Sequence, residues 1–260
     1  MKSLPQRSLE SLGSVDKAVD VLLTLSNAPS ALGVTEVGRA LGLPKSSAHR
    51  LLATLTRRGL VERDEGGRYR PGMALVALGL GALERDPLVS AARPLLEAEA
   101  ARLGETVFLV ALRAGSLVVL DKVEGTGFLR AAPRVGSTVP VHATAVGKLY
   151  LAHAPERVEL AADLPRFTAA TLRSKRALAA AVREVSERGW AENRDEWIDG
   201  LSVVAAPILM RGELRGALAV AAATARMHSL DPEQVAARLG SAVNRIADRL
   251  AGRVGLEEAS

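Results

Sequence analysis

Residues 41–59, LGLPKSSAHRLLATLTRRG, constrain the fold more than any other stretch of this 260-residue chain. Glycine reaches the left-handed conformation that ends a helix, and proline fits the start of one. Gly42-Leu43-Pro44 therefore stops one helix and starts another almost at once. Ahead of that turn, Val34, Val37, Ala40 and Leu41 share a face, with Thr35 placed to cap the helix and Gly42 to stop it. Behind it, Ala48, Leu51, Leu52 and Leu55 repeat the helical spacing. Upstream, SVDKAVDVLLTLSN sets Val15, Ala18, Val19 and Leu22 on one side of a first helix, with Ser14 as its expected cap. Three short helices with a tight turn before the last are the pattern of a helix-turn-helix.

The outward side of the third helix carries the chemistry. At about 100° per residue, Ser46, Arg50 and Arg57 lie opposite the apolar stripe, flanked by Lys45, Ser47, His49 and Thr54. Arginine can donate two parallel hydrogen bonds to guanine, and serine or threonine can bond base edges or phosphates. No Asp or Glu falls between residues 44 and 59. Residues 60–70 then read as a hairpin that turns over Asp64 to Gly67, a wing whose Arg68 and Arg70 are expected to track backbone phosphates or to enter the minor groove beside the third helix. Charge agrees: residues 1–85 hold 12 Lys+Arg against 8 Asp+Glu, whereas the remainder is nearly balanced. Solvated arginines on an ordinary helical hairpin would account for each of these features singly, but not for their combination.

Residues 71–85 contain Met73, Leu75, Val76, Leu78, Leu80 and Leu83, apolar on more than one side of a helix. Such a helix needs a partner, and its own copy in a second subunit is favoured over the rest of the chain. With three glycines it is too short to span a bilayer, and the polar residues 1–12 predict no signal peptide. The absence of cysteine excludes disulfides, thiolate nucleophiles and Cys-type zinc sites, and fits a cytoplasmic location. An apolar fraction of 48% excludes wholesale disorder.

Beyond Asp86-Pro87 a helical stretch runs to Leu103, followed by two strands around Ala114-Gly115-Ser116. A second strand pair turns near Arg211-Gly212, and helices are expected around 142–153, over 175–188 and over about 231–250. The class is α+β. No phosphate-binding glycine loop or dinucleotide fingerprint is present, so no cofactor is expected. The segmentation is a tail at 1–13, a winged helix-turn-helix at 14–70, a dimerising linker helix at 71–85 and a second domain at 86–255.

The N-terminal block resembles the winged helix-turn-helix of the IclR family of bacterial transcriptional regulators. RVGSTVPVHATAVGKLYLA and GLSVVAAPI resemble the loop-helix and late strand of that family's GAF-like α/β effector-binding domain. The resemblance implies a dimer or tetramer on a pseudo-palindromic double-stranded DNA operator, regulated by a small-molecule effector. It implies an effector pocket from His142, Ala143, Thr144, Ala145 and Gly147, from Asn193, Asp195 and Glu196, and from Val203, Ala219 and Ala221. The last three places often hold Cys or Ser in relatives that bind small polar acids, so apolar residues there point to a ligand with a sizeable apolar or aromatic portion.

Other chemistry reads more weakly. Asp195 and Glu196 are neighbours on a segment read as extended, so their carboxylates are not expected to converge as an acid/base pair, and no catalytic residue is assigned. His142 and His153 lack metal-ligand spacing, and no metal site is assigned. Trp190, Trp197 and Phe128 are expected in the core rather than as a ligand cage. Arg173, Lys175 and Arg176 are expected as plain surface.

Overall fold

A computed structural model describes residues 13–127 and 133–257, with side chains described as far as residue 252. Phe128 therefore lies outside the described residues. The chain divides into two compact units, Met1–Leu83 and Glu84–Ser260.

In the first unit, α1 (Ser14–Asn27), α2 (Val34–Leu41) and α3 (Lys45–Arg57) pack around Val21, Leu25, Val37, Leu52 and Leu55. The turn between α2 and α3 forms as the glycine demands. Gly42 closes α2 at φ +62°, and Leu43 N–H returns to Gly38 O at 2.8 Å. A Cβ on Gly38 would stand 3.0 Å from Leu43 O, so this glycine lets the two helices meet closely.

Three local expectations are corrected. The caps of α1 and α2 are Gly13 and Gly33, not Ser14 and Thr35; each cap N–H donates to a carboxylate three residues on, Asp16 and Glu36. The buried side of α1 is Val21 and Leu25 with Ala18 and Leu22, while Val15 and Val19 are 75% and 47% exposed. Ala40 is exposed as well. Ala18 and Leu22 of the expected stripe do face the core, but the packed side is rotated by about 60° toward Val21 and Leu25, because α1 carries further apolar residues beside the stripe and spacing alone does not say where its centre meets α3.

The wing is β1 (Val61–Arg63) against β2 (Tyr69–Pro71), antiparallel with Arg63 opposite Tyr69. Asp64 accepts from Arg68 N–H at 2.8 Å across the turn, and Tyr69 also exchanges two backbone hydrogen bonds with Leu32. That pairing ties the wing to the segment that enters α2. The unit ends in α4 (Met73–Glu84), in which no described side chain is buried.

The second unit is a five-stranded antiparallel sheet in the order β4-β3-β7-β6-β5. Its strands are β3 (Thr106–Arg113), β4 (Ser116–Val123), β5 (Ala191–Arg194), β6 (Leu201–Met210) and β7 (Glu213–Ala223). The helices α5 (Pro87–Leu103) and α9 (Pro232–Glu257) cover one face with Leu95, Leu96, Leu239 and Ile246. On the other face α6 (Ala145–His153) brings Leu149 and Tyr150, and Val185 of α7 (Lys175–Arg188) joins the same core. Successive strand residues divide between the two cores: Val107 and Leu109 go to one, Phe108 and Val110 to the other. Burial on both faces is why the late strands read as unbroken apolar runs. The edge strand β5, the short helix α8 (Thr224–Leu230) and a single 3-10 turn at Pro155–Arg157 go beyond the sequence reading, and α6 starts at Ala145 rather than at His142.

Candidate functional site

Helix α3 separates its two sides cleanly. Ala48, Leu52 and Leu55 are buried, whereas Lys45, Ser46, His49, Arg50, Thr54 and Arg57 are exposed and Ser47 is half-buried. Arg57 Nη2 donates to Thr54 Oγ1 at 3.2 Å within that face. A crevice lined by Thr35, Arg39 and Lys45 opens beside it at the α2–α3 turn. The sequence reading takes Thr35 only as a helix cap and passes over Arg39, although Arg39 sits a turn before the marked stop at Gly42. The wing arginines are engaged elsewhere. Arg68 donates to Ala31 O at 2.8 Å and to Glu36 at 2.7 Å, and Arg70 pairs across the strands with Glu62 at 3.2 Å.

In the second unit a cavity of about 20 Å³ lies on the α6 side of the sheet. Thr144, Ala145 and Val146 line it from α6 and its cap, Asn193 and Trp197 from β5 and beyond, and Phe108 and Val203 from the strands. Four residues expected there are in the lining: Thr144, Ala145, Asn193 and Val203. The rest support it from around. His142 is not in the lining; its Nε2 donates to Pro165 O at 2.9 Å and its ring stacks on Phe167. Ala143 offers its carbonyl to the Asn193 amide at 2.8 Å. A Cβ on Gly147 would come within 1.8 Å of Val141 O, so its lack of a side chain lets the loop lie against the helix. Ala219 and Ala221 are wholly buried on the same sheet face.

Thr144 does two jobs at the helix start: Oγ1 accepts from Gly147 N–H at 3.0 Å and donates to Pro140 O at 2.7 Å. Asn193 Oδ1 accepts from Glu196 N–H at 3.0 Å. Below this loop the buried Lys148 ammonium is paired with the buried Glu196 Oε1 and donates to Glu192 O at 3.0 Å. Glu196 Oε2 is buried with no hydrogen-bond partner among the described residues.

Asp195 departs from the extended segment expected for it. Its φ is +58°, and its carboxylate accepts from Thr224 while Glu196 takes Lys148. The two carboxylates diverge, but because of a left-handed turn rather than strand alternation. Trp197 lines the cavity, while Trp190 packs against the α9-side core with Arg188 stacked 3.8 Å over its ring, so the two do not form a cage. Phe108, Val139, Val146 and Leu201 also line the cavity, though the sequence reading singles out none of them. Among the described residues no group of three or more His, Asp or Glu is placed to hold a metal.

Comparison with known proteins decides the lineage. The bacterial transcriptional regulator IclR C-terminal domain matches residues 80–248, and the IclR helix-turn-helix domain matches residues 14–65. The chain belongs to the IclR family. The transcriptional regulator XynR of Escherichia coli is 35% identical over 201 residues, covering 75% of this chain and 79% of XynR. BhcR of Paracoccus denitrificans is 33% identical, covering 82% and 78%.

Among solved structures, an IclR homolog from Microbacterium hydrocarbonoxydans complexed with 4-hydroxybenzoate superposes with a TM-score of 0.81 at 26% identity, covering 92% of this chain and 100% of that one. The Thermotoga maritima IclR gives 0.74 at 26% identity, covering 91% and 98%. This IclR-family chain is a helix-turn-helix DNA-binding transcriptional regulator and not an enzyme, with an α+β effector domain. No helix among its described residues is long and apolar enough to cross a membrane.

Proposed function

We propose that the protein is a cytoplasmic, ligand-responsive regulator that grips a pseudo-palindromic operator as a two-fold dimer or a pair of dimers. Residues 14–70 form the reading head, α4 within 71–85 joins two copies, and 86–255 sense a small molecule. One observation carries the reading: Ser46, Arg50 and their neighbours on α3 are exposed while Ala48, Leu52 and Leu55 are buried, so a major groove can receive the polar side without unfolding anything.

Arg50 reads a base, and Lys45, Ser46, Ser47, His49, Thr54 and Arg57 share base and phosphate contacts. Arg68 and Arg70, drawn toward Glu36 and Glu62 in the free protein, exchange carboxylate for phosphate on DNA. Arg50→Ala is expected to cost about 1–3 kcal/mol on the cognate duplex and to relax preference at one position. Titration of cognate and scrambled duplexes checks it, and equal losses on both refute base reading by Arg50.

The effector is inferred to enter beside Thr144, Ala145, Asn193 and Val203, with His142, Ala143, Gly147, Asp195, Glu196, Ala219 and Ala221 shaping the surround. An apolar wall with few donors suits an aromatic or short-chain acid, and the 4-hydroxybenzoate held by the Microbacterium homolog is of that kind. Such a ligand acts by binding one arrangement of the two heads better than another. Mass spectrometry of molecules released from the purified protein tests this, and recovery of very polar metabolites alone sinks it.

A further inference from the structure

We propose that the effector unit has a second ligand site, for a small organic anion, in a cavity ringed by three arginines. The cavity, of about 280 Å³, is lined by Arg113 at the end of β3, Arg157 just after α6 and Arg215 near the start of β7, together with Leu88, Leu214 and Leu250. It shares no lining residue with the cavity beside Thr144 and Val203.

The three guanidiniums are unequally committed. Arg113 donates to Asp86 Oδ2 at 2.7 Å. Arg215 is 3.5 Å from Glu213 Oε2, with both side chains half-exposed or more, a weak pair. Arg157 donates from one nitrogen to Leu214 O at 3.0 Å, and no carboxylate pairs with it among the described residues. Three cations against two carboxylates leave the site net positive.

Two of these charges also lie near Tyr150, whose hydroxyl accepts from Leu112 N–H at 3.0 Å. Burial pushes its phenol above the ordinary tyrosine range, opposed first by that hydrogen bond and then by the Arg157 and Arg113 charges. Each guanidinium presents a planar fork of donors that fits a carboxylate or phosphate, and the leucines give the carbon portion a surface to cover. The chemistry recognised is thus an oxyanion on a short apolar group. Binding would also reach α5, because the Asp86 carboxylate that holds Arg113 caps that helix through Leu88 N–H at 2.9 Å.

Calorimetric titration of the full-length protein tests the site, with phenyl phosphate as probe and phenol and inorganic phosphate as its two halves. Phenyl phosphate is expected to bind once per chain at millimolar or lower concentration and more tightly than either half. Arg157→Gln and Arg215→Gln should each weaken it about tenfold, the value of one charge-assisted hydrogen bond, while Arg173→Gln on the exposed surface leaves it unchanged. Thermal unfolding of each variant separates lost binding from lost fold, and Arg157→Lys, which keeps charge without the fork, should bind between wild type and Arg157→Gln. Absence of saturable binding, unchanged binding by the folded Arg157→Gln protein, or an equal effect from Arg173→Gln overturns the proposal. Equal affinity for inorganic phosphate overturns its organic part.

Discussion

A methyl group at residue 147 would be enough to disturb the loop-helix element of the effector domain. The carbonyl of Val141 occupies the space a Cβ would need, and backbone, unlike a flexible side chain, cannot step aside. Gly147→Ala is expected to cost about 3 kcal/mol in denaturant unfolding, at the upper end of ordinary overpacking. Lys148 and Glu196 make a sharper case. Removing one partner strands the other charge in the interior, so Lys148→Met should destabilise by about 3–5 kcal/mol, whereas Lys148→Met with Glu196→Met should recover most of that loss. Equal destabilisation by the single and the double variant would show that the pair's charges do not matter. At this scale the sequence was partly legible. The family resemblance marked Thr144, Gly147 and Asn193 as important, but as ligand-facing. Only Thr144 and Asn193 touch the cavity, and Gly147 is required by a backbone approach that no spacing of side chains announces.

Elements were legible in proportion to how strongly their own residues punctuate them. Gly42 and Pro44 place the helix-turn-helix turn, and the long apolar runs of β6 and β7 declare themselves around Gly212. Strand β5 was not seen because Glu192, Asn193 and Arg194 look like loop; it holds its place at the sheet edge through pairing with β6, which only the tertiary fold supplies. The wing shows the same limit. Its hairpin was legible, but the attachment of Arg68 to Glu36 and Ala31 O joins residues more than thirty apart. Both partners are half-exposed, so Arg68→Ala should change stability by no more than about 1 kcal/mol. On DNA the same substitution should weaken cognate and scrambled duplexes alike and lower the salt slope by about one. A loss confined to the cognate sequence would assign Arg68 to base reading instead.

For the whole molecule, α4 is the element whose isolation has the widest effect. Met73 and Leu78 are 68% and 65% exposed, and Val76 and Leu80 are also more than half exposed, an apolar surface that water disfavours. If a second copy covers it, Leu78→Lys should shift sedimentation toward the monomer, and the wild-type unfolding temperature should rise with protein concentration. A monomer at all concentrations in the wild type would remove the joining role of α4. The two-domain plan and the basic bias of the first unit were open to the sequence because each belongs to a contiguous stretch of chain. The arrangement of copies was not, since an apolar helix names no partner.

The hollow beside Thr144 and Val203 has room for about one water molecule before any guest arrives. An aromatic acid cannot simply drop into such a space; it has to wedge the helix bearing Ala145 away from the β-surface bearing Phe108. If the proposed effector enters there, occupancy would be inseparable from displacement, and the chain would feel its ligand as a mechanical strain before any downstream joint had moved.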